Sequence, residues 1–154
     1  MEKKVVKLTR DDVDFEVRKI FKNFKFMSMV QPVNGEKPIV VAVMKGGEYF
    51  ARKVATKYDL PLEFIECKSY KNKELGDTID IMHIPISLFE EKRPIIFVDD
   101  IYETGTTKKA LQRIFPNSKF IVLYKKTTDD VVDTYGDVLA KDIWFEFFWE
   151  NEVE

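Results

Sequence analysis

"RPIIFVDDIYETGTTKKAL", residues 93–111, is a stretch in which an apolar run ends at two adjacent acids and a small polar loop leads into a helical pattern. The run Ile95–Val98 is continuously apolar, which is typical of a strand buried on both faces of a parallel sheet. Asp99 and Asp100 follow it, and two adjacent carboxylates repel each other. Residues 104–107 then offer hydroxyls, a glycine and the first amides of a helix, a combination that favours an anion. We therefore expect a ligand that carries both hydroxyl groups and phosphate.

The composition indicates one ordinary globular domain. The chain of 154 residues is long enough to bury a core and no linker or repeat divides it, so we expect a single domain over residues 1–154. A net charge of −2 gives no broad basic surface for nucleic acid. No apolar stretch approaches the roughly 20 residues of a membrane span, and the N-terminus becomes polar too soon for a signal peptide. The single cysteine, Cys67, suits a reducing compartment, so we expect a cytoplasmic protein.

Apolar periodicity predicts alternating strands and helices. Thr9 followed by Asp11 and Asp12 indicates a helix start, and apolar residues at helical spacing extend this helix over residues 10–26. Further strands are predicted within residues 38–47, 61–70, 94–100 and 119–124, and further helices over residues 48–60 and 106–115. A strand within residues 78–84 makes the segment from Tyr70 to Asp77 the tip of a hairpin or an extended loop.

The order of these elements predicts an α/β fold with a mainly parallel, twisted sheet flanked by helices. Ligands of such sheets bind beyond the carboxyl ends of the strands. In this sequence those ends are Lys45-Gly46-Gly47, Asp99-Asp100 and Lys125-Lys126. We therefore expect the three to converge on one crevice.

The loop at residues 104–107 differs from the common phosphate-binding motifs. It lacks the G-x-x-x-x-G-K-[ST] spacing of a P-loop and the G-x-G-x-x-G spacing of a dinucleotide site, and a loop of this size fits a monophosphate. The adjacent aspartates also differ from the Asp-x-Asp pattern of an aspartyl phosphatase. On this motif alone a purely structural alternative stays open, in which the aspartates make a turn ahead of a capped helix.

Four stretches together resemble one family. "IIFVDDIYETGTT" resembles the phosphoribosyl diphosphate (PRPP) signature of type I phosphoribosyltransferases. "VMKGGEYFA" is similar to the pyrophosphate loop of the hypoxanthine-guanine enzymes, and "KSYKNKELGD" carries the Ser-Tyr pair of their flexible loop. "IWFEFFWE" resembles the tryptophan-containing base hood of short bacterial xanthine-guanine phosphoribosyltransferases. The four occur in the family's order over residues 38–150, so we identify a resemblance to the purine branch, with a small C-terminal base-binding hood over about residues 127–154.

The resemblance implies Mg²⁺-dependent transfer of phosphoribosyl from PRPP to a purine nitrogen, with release of pyrophosphate and formation of a nucleoside monophosphate. The transition state is oxocarbenium-like, so positioning and electrostatics account for most of the catalysis. Asp99 and Asp100 are then expected to accept hydrogen bonds from the ribose hydroxyls and to bind Mg²⁺, which removes their mutual repulsion. The loop of Thr104, Gly105, Thr106 and Thr107 is expected to hold the 5-phosphate.

The other two PRPP-binding stretches follow from the same resemblance. Lys45, Gly46 and Gly47 are expected to meet the pyrophosphate, with a non-proline cis peptide between Lys45 and Gly46. A plain strand-to-helix turn is the alternative for this double glycine. Ser69 and Tyr70, with nearby lysines, are expected to close over the reacting centre and exclude water; an ordinary solvated hairpin is the alternative.

The base-binding residues also follow from the resemblance. Glu103 stands where relatives usually have the aspartate beside purine N7, and the alternative is a solvated acid in the first turn of the helix. Lys126 aligns with the lysine that contacts the purine 6-oxo group, with Lys125 as the alternative. Trp144 and Phe145 are expected to lie against the base. Glu150 is expected near the base and near a second Mg²⁺. His83 and Cys67 carry no motif and are assigned to structure.

The leading interpretation is therefore an enzyme of purine salvage that acts on guanine, xanthine or hypoxanthine. A PRPP- or nucleotide-sensing regulator of the same fold, or a pyrimidine phosphoribosyltransferase, is the alternative. Aromatic residues make up 14% of the chain and concentrate partly in "IFKNFKF" and "WFEFFW", so we also expect a homodimer or homotetramer. Neither nucleic acid nor a membrane is expected as a partner. The sequence does not rank the three 6-oxopurines.

Overall fold

The computed structural model describes residues 4–72 and 76–151, and for residues 69–72, 76–78, 80, 82 and 151 it describes the backbone alone. The strands within these ranges are β1 (Val5–Leu8), β2 (Ile39–Met44), β3 (Leu62–Asn72), β4 (Gly76–His83), β5 (Ile95–Tyr102), β6 (Lys119–Lys125), β7 (Thr134–Val138) and β8 (Trp144–Phe147). The helices are α1 (Arg10–Phe21), α2 (Phe24–Met29), α3 (Glu48–Tyr58), α4 (Ile86–Phe89) and α5 (Thr106–Ile114), and a 3₁₀ helix spans Phe148–Asn151.

The main sheet of the described residues has the order β4-β3-β2-β5-β6-β7. Every neighbouring pair in it is parallel except β3 and β4, which are antiparallel. A hairpin was one of the two alternatives that the sequence left open for residues 70–77, and the strands extend further into this segment than expected, to Asn72 and from Gly76. The α/β fold with a mainly parallel sheet is thus confirmed. Among the described residues no helix is long and apolar enough to cross a membrane.

Alternating residues of the central strands bury both faces of the main sheet. On β2, Val40 and Ala42 belong to one core cluster, together with side chains of α1 and α3 such as Val17 and Phe50. Val41 faces the second cluster, together with side chains of α4 and α5. Because both faces are covered by helices, the strands are continuously apolar, and this is why they were recognisable in the sequence.

The first predicted helix is interrupted. The sequence predicted one helix over residues 10–26, but α1 ends at Phe21 and α2 begins at Phe24. Asn23 causes the break, because its side-chain oxygen accepts a hydrogen bond from Phe26 N at 3.1 Å and so caps a new helix. The predicted start is as observed: Thr9 and Asp12 form a reciprocal capping box.

The described part of the predicted hood, residues 127–151, divides between two sheets. β7 joins the edge of the main sheet beside β6. β8 pairs in parallel with β1 near the N-terminus, with Val5 opposite Trp144 and Leu8 opposite Phe147. Residues 144–151, which comprise β8 and the 3₁₀ helix, are called the hood segment below. The hood segment is therefore held by the N-terminal strand, a partner far away in sequence.

Candidate active site

Three strand ends lie side by side at the carboxyl edge of the main sheet. β2 is paired in parallel with β5, and β5 with β6. Lys45-Gly46-Gly47 follows β2, Asp99-Asp100 lies near the end of β5, and Lys125-Lys126 lies at the end of β6. They share one edge because parallel neighbours run in the same direction, so the structure brings these three groups together as predicted.

Gly46 and Gly47 bring the turn after β2 against β5. A Cβ atom at Gly46 would overlap the carboxylate of Asp100, and a Cβ atom at Gly47 would overlap the backbone carbonyl of Val98. Only glycine permits this approach. The double glycine is therefore more than a strand-to-helix turn, since it places backbone directly against an acid of the Asp-Asp pair.

The non-proline cis peptide lies one bond earlier than the resemblance implied. It joins Met44 to Lys45, not Lys45 to Gly46. The expected position was thus wrong by one residue, although the bond belongs to the same turn.

Replacing the two glycines is expected to have unequal effects on stability. In Gly47→Ala the new methyl group meets a backbone carbonyl, so the main chain must shift, and we expect a loss of about 1–3 kcal/mol in the free energy of unfolding. In Gly46→Ala the new methyl group meets the carboxylate of Asp100, which can rotate, so we expect a smaller loss in the free energy of unfolding. Urea unfolding of both variants measures the difference. Equal losses, or a larger loss for Gly46→Ala, would contradict this reading of the turn.

Asp99 and Asp100 form an electrostatically strained pair. Both are partly buried, and burial raises the pKa of each carboxyl above its usual range. The pKa of Asp99 is raised further by the charge of Asp100, and that of Asp100 is raised further by the more distant charge of Glu150. Backbone amides offset part of this, since Asp100 N donates to Asp99 Oδ1 at 2.8 Å and Ile101 N donates to Asp100 Oδ1 at 2.7 Å. Such a pair favours a cation or a hydroxyl-bearing ligand.

The burial of this region and the charge of Asp99 also affect the thiol of Cys67. Burial, and then the charge of Asp99, raise the pKa of this thiol to about 11. The thiol is therefore protonated at neutral pH and is a poor nucleophile, which agrees with its assignment to structure.

The loop between β5 and α5 has the geometry of an anion cradle. Gly105 is the N-cap of α5 with φ of 82°, a left-handed conformation that favours glycine, and a Cβ atom there would overlap the Tyr102 hydroxyl. No side chain caps the helix in this described region, so its first amides face outward with the positive end of the helix dipole. Thr104 Oγ1 and Thr106 Oγ1 lie 2.9 Å apart and add hydroxyl donors. Thr107 follows in the first turn.

Glu103 and Lys126 form an ion pair beside this loop. Lys126 Nζ lies 3.1 Å from Glu103 Oε1 and donates to the carbonyl oxygen of Ile143 at 3.0 Å. The side chain of Lys126 is 10% exposed, whereas that of Glu103 is 43% exposed. A nearly buried cation thus lies next to a half-exposed carboxylate, and the two offer a donor and an acceptor to a ligand.

This ion pair opens into a cavity of about 310 Å³, at the lower end of the size range of ligand sites. Its lining comprises Glu103, Thr104, Lys126, Lys141, Asp142, Ile143 and Trp144. Trp144 is 49% exposed at its wall, and the Lys126 ammonium lies 5.7 Å from the centre of the Phe145 ring. The cavity therefore combines an aromatic wall with a charged hydrogen-bonding pair.

Lys125 does not share this environment. It is 3% exposed, donates to the carbonyl oxygen of Asp129 at 2.8 Å, and lies 3.9 Å from the centre of the Tyr135 ring. Of the two adjacent lysines, Lys126 alone lines the cavity described above.

The sequence reasoning missed three residues of the cavity, namely Lys141, Asp142 and Ile143. They immediately precede the tryptophan that was singled out, so the polar loop before Trp144 was the signal that could have found them. Ile143 contributes its carbonyl oxygen, which accepts a hydrogen bond from Lys126. Every residue has such an oxygen, so the sequence could not identify this contact.

The remaining predicted residues divide into two cases. Glu150 accepts a hydrogen bond from Phe147 N and so closes the 3₁₀ turn. Its carboxylate was expected near a second Mg²⁺, and this role stays a prediction, because the described residues contain no group of three His, Cys, Asp or Glu side chains that could hold a metal ion. The backbones of Ser69 and Tyr70 lie in β3, paired with Ile79 and Thr78 of β4, but their side chains lie outside the described part of the chain.

Comparison with known proteins agrees with this geometry. A model of the phosphoribosyl transferase domain matches residues 15–153. The xanthine-guanine phosphoribosyltransferase of Idiomarina loihiensis is 30% identical over 118 residues, covering 74% of this chain and 71% of that protein. The protein of the same name from Cereibacter sphaeroides is 29% identical over 125 residues, covering 80% and 75%.

Solved structures show the same fold. The purine phosphoribosyltransferase from Pyrococcus horikoshii has a TM-score of 0.72 at 24% identity, and the match covers 97% of this chain and 96% of that one. Since the family model spans nearly the whole sequence, and the Asp-Asp edge, the anion cradle and the adjoining cavity lie within the matched region, the chain belongs to the phosphoribosyl transferase family.

Proposed function

We propose that this protein is a purine phosphoribosyltransferase, which transfers phosphoribosyl from PRPP to guanine, xanthine or hypoxanthine in purine salvage. The observation that carries the proposal is the cavity at the carboxyl edge of the sheet, in which Glu103, Lys126 and Trp144 lie directly beside the anion cradle. The curated relatives are named as xanthine-guanine phosphoribosyltransferases, which supports a 6-oxopurine as the acceptor.

The sugar and its phosphate bind across the β5–α5 connection. Asp99 and Asp100 accept hydrogen bonds from the ribose hydroxyls, and these donors favour the ionised form of two carboxyls whose pKa is raised mainly by burial. The 5-phosphate accepts hydrogen bonds from the amides of residues 105–107 and from the hydroxyls of Thr104 and Thr106. Carboxylates thus recognise the sugar, and the helix N-terminus recognises the phosphate.

The leaving pyrophosphate lies at the turn after β2. Lys45 is exposed there, beside the tight backbone of Gly46 and Gly47. Negative charge develops on the pyrophosphate as the glycosidic bond breaks, so a cation and backbone amides at this position stabilise the transition state more than the ground state.

Asp99 and Asp100 also fit a magnesium site. Mg²⁺ prefers oxygen ligands and is usually bound by one or two carboxylates together with substrate phosphates. Burial raises the pKa of both carboxyls, and a bound cation would favour their ionised form. The ion supplies charge neutralisation of the pyrophosphate when it is bound. We propose that Glu150 contacts a second Mg²⁺ through a water molecule and not directly, because its carboxylate already accepts a hydrogen bond from Phe147 N.

The purine is held by its polar edge and by one face. Lys126 donates to the 6-oxo group, Glu103 accepts from N7, and Trp144 and Phe145 lie against the ring. The 3.1 Å separation of Lys126 Nζ and Glu103 Oε1 suits an acceptor and a donor that are adjacent on one edge of the base. An exocyclic amine in place of the 6-oxo group, as in adenine, would face the ammonium and bind poorly.

We propose that Ser69 and Tyr70 form part of a lid over the reacting centre. The backbones of these two residues lie in β3, which pairs antiparallel with β4 at the edge of the main sheet. Closure of this hairpin would exclude water, which otherwise captures the activated ribose.

The regulator and pyrimidine alternatives are not favoured. A regulator that senses PRPP alone needs no base cavity, whereas here a charged pair and a tryptophan line one. The curated relatives are also named as transferases and not as regulators. The relatives named above are purine enzymes, which argues against a pyrimidine substrate.

The protein is also proposed to form a homodimer or homotetramer in a reducing, cytoplasmic compartment. Several large apolar side chains are exposed, among them Phe24 at 85%, Ile86 at 80% and Phe89 at 59%. Such surface favours association. Light scattering at micromolar concentration tests this, and a monomer would contradict it.

The test of the proposed function is pyrophosphate release with PRPP and Mg²⁺. Guanine, xanthine, hypoxanthine, adenine, uracil and orotate are offered separately. We expect turnover with at least one 6-oxopurine and none with the pyrimidines. Turnover with uracil or orotate alone, or binding of PRPP without turnover of any base, would contradict the proposal.

Lys126→Met is expected to reduce kcat/KM for the 6-oxopurine by about 10–100-fold, because a hydrogen bond to a charged group contributes about 1.5–3 kcal/mol. Lys125→Met is the matched control, since that side chain is directed at Asp129 and Tyr135. Steady-state kinetics with the base as the varied substrate measure both variants. If Lys125→Met alone lost base affinity, the assignment of the two lysines would be reversed.

A further inference from the structure

Tyr49 joins the proposed pyrophosphate loop to the hood segment. It lies in the first turn of α3, directly after Gly47 and Glu48. The loop and this turn form one hydrogen-bonded unit, since Glu48 N donates to the carbonyl oxygen of Lys45 at 3.2 Å and Ala51 N donates to that of Gly47 at 2.9 Å. The position of the Tyr49 ring is therefore tied to the position of the loop.

The other side of the Tyr49 ring contacts the hood segment. It stacks on Trp149 with a centroid distance of 5.8 Å and an interplanar angle of 23°, and it meets Phe148 edge-on at 5.0 Å and 87°. Trp149 in turn stacks on Phe147 at 4.6 Å and 8°. Phe147 is the last residue of β8, the strand that begins at Trp144. A continuous aromatic stack thus runs from α3 to the strand that carries the base-binding tryptophan.

Polar contacts orient the Tyr49 ring. Its hydroxyl donates to Asp14 Oδ1 at 2.7 Å. The Arg10 guanidinium lies 5.5 Å from the centre of the Tyr49 ring and 4.4 Å from that of Phe148, so it bridges α1 and the hood segment. Lys53 Nζ lies 5.2 Å from the centre of the same ring. These contacts restrict the ring to one position, since each cation favours an aromatic face.

We propose that Tyr49 is a positioning residue, which sets the distance between the base, held by the hood segment, and the ribose–pyrophosphate bond, held by the loop. This inference rests on the proposed function, because it requires a base and a pyrophosphate at these two places. Tyr49 itself touches neither reactant. Transfer requires the attacking nitrogen and the ribose carbon in a near-attack geometry, and a displacement of about 1 Å can cost about 100-fold in rate.

The test compares Tyr49→Ala, Tyr49→Phe and Tyr58→Ala. Tyr58 is the matched control, because it lies at the opposite end of α3 and makes edge contacts with Phe21 and Phe26 at 5.8 and 5.7 Å. Each variant is assayed at a temperature where it is folded, with guanine and with PRPP as the varied substrate. The unfolding midpoint is recorded for each.

Tyr49→Ala is expected to lower kcat/KM for guanine by about 10–100-fold while KM for PRPP changes by less than about threefold. Tyr49→Phe keeps the aromatic stack and is expected to retain most of the wild-type rate. Tyr58→Ala is expected to lower the unfolding midpoint but to leave both kinetic constants near the wild-type values. Unchanged guanine kinetics in Tyr49→Ala, or an equal loss in Tyr58→Ala, would overturn the inference.

A double-mutant cycle with Trp149→Ala gives an independent readout. If the two rings act through their mutual contact, Tyr49→Ala with Trp149→Ala costs about as much in kcat/KM as either single change. Additive losses would overturn the inference. Absence of turnover in the unsubstituted chain would overturn the proposed function and this inference together, whereas wild-type turnover with additive or absent losses would overturn the inference alone.

Discussion

Replacing both Asp99 and Asp100 with asparagine is expected to lower kcat/KM by at least about 1,000-fold and to raise the free energy of unfolding at neutral pH. Activity falls because two charged groups that hold the ribose and the metal are lost, and a single preorganised group of this kind contributes about 10²–10³-fold. Stability rises because the native state no longer carries two adjacent, partly buried carboxylates. Pyrophosphate release and urea unfolding measure the two effects on the same preparations.

The gain in stability should depend on pH with a definite sign. Each native carboxyl has a pKa above its usual range, so the native state binds protons more tightly than the unfolded chain does. The wild-type penalty is therefore absent below about pH 3.9, the ordinary pKa of aspartate. It grows as the pH rises through the native pKa values. The unfolding free energies of the wild type and the double asparagine variant should converge in acid and diverge toward neutral pH.

Opposite behaviour would contradict this account of the pair. A double asparagine variant that is less stable than the wild type at neutral pH, in the absence of metal and PRPP, would show that the carboxylates stabilise the fold. Asp130→Asn, a change at an exposed acid, controls for the effect of net charge.

Glu103→Gln is expected to lower kcat by about 10²–10⁴-fold, the usual contribution of a positioned proton acceptor. The amide keeps the length of the side chain but cannot accept a proton from N7 or balance the charge of Lys126, 3.1 Å away. Glu103→Asp is the matched variant, because it keeps the carboxylate and shortens the side chain by one methylene. Steady-state kinetics at saturating PRPP measure both.

The order of the two variants decides the role of Glu103. If the carboxylate acts on the base, Glu103→Asp retains more activity than Glu103→Gln. Wild-type activity in Glu103→Gln would instead support the solvated helix-turn acid, an interpretation that the motif alone left open.

The strands that are apolar on both faces were predicted from the sequence, whereas the short strands β1, β7 and β8 were not. β2, β5 and β6 are apolar on both faces, so their runs are unmistakable. β1 and β7 alternate buried with exposed positions over four and five residues, and nothing in their own sequence marks a partner. β1 pairs with β8 across almost the whole chain. This pairing depends on how the whole chain folds, so it could not be predicted from the local sequence of either strand.

Site prediction shows the same division. The Asp-Asp pair and the small-residue loop are contiguous, so one stretch carried them. The choice between Lys125 and Lys126 was open, because adjacent strand residues point to opposite faces and the sequence does not say which face holds the cavity. The contact between Lys126 and Glu103 depends on the pairing of β5 with β6. Ile143 acts through its carbonyl oxygen, which every residue possesses.

The most direct test of the central claim is to identify the products of the unsubstituted chain incubated with PRPP, Mg²⁺ and one base at a time. Chromatography with mass detection measures the amounts of nucleotide and of pyrophosphate in the same sample. The account predicts one nucleoside 5′-monophosphate for each pyrophosphate released with guanine, xanthine or hypoxanthine, and none with adenine. Pyrophosphate without nucleotide, or a nucleotide formed from adenine or a pyrimidine in preference to every 6-oxopurine, would contradict it.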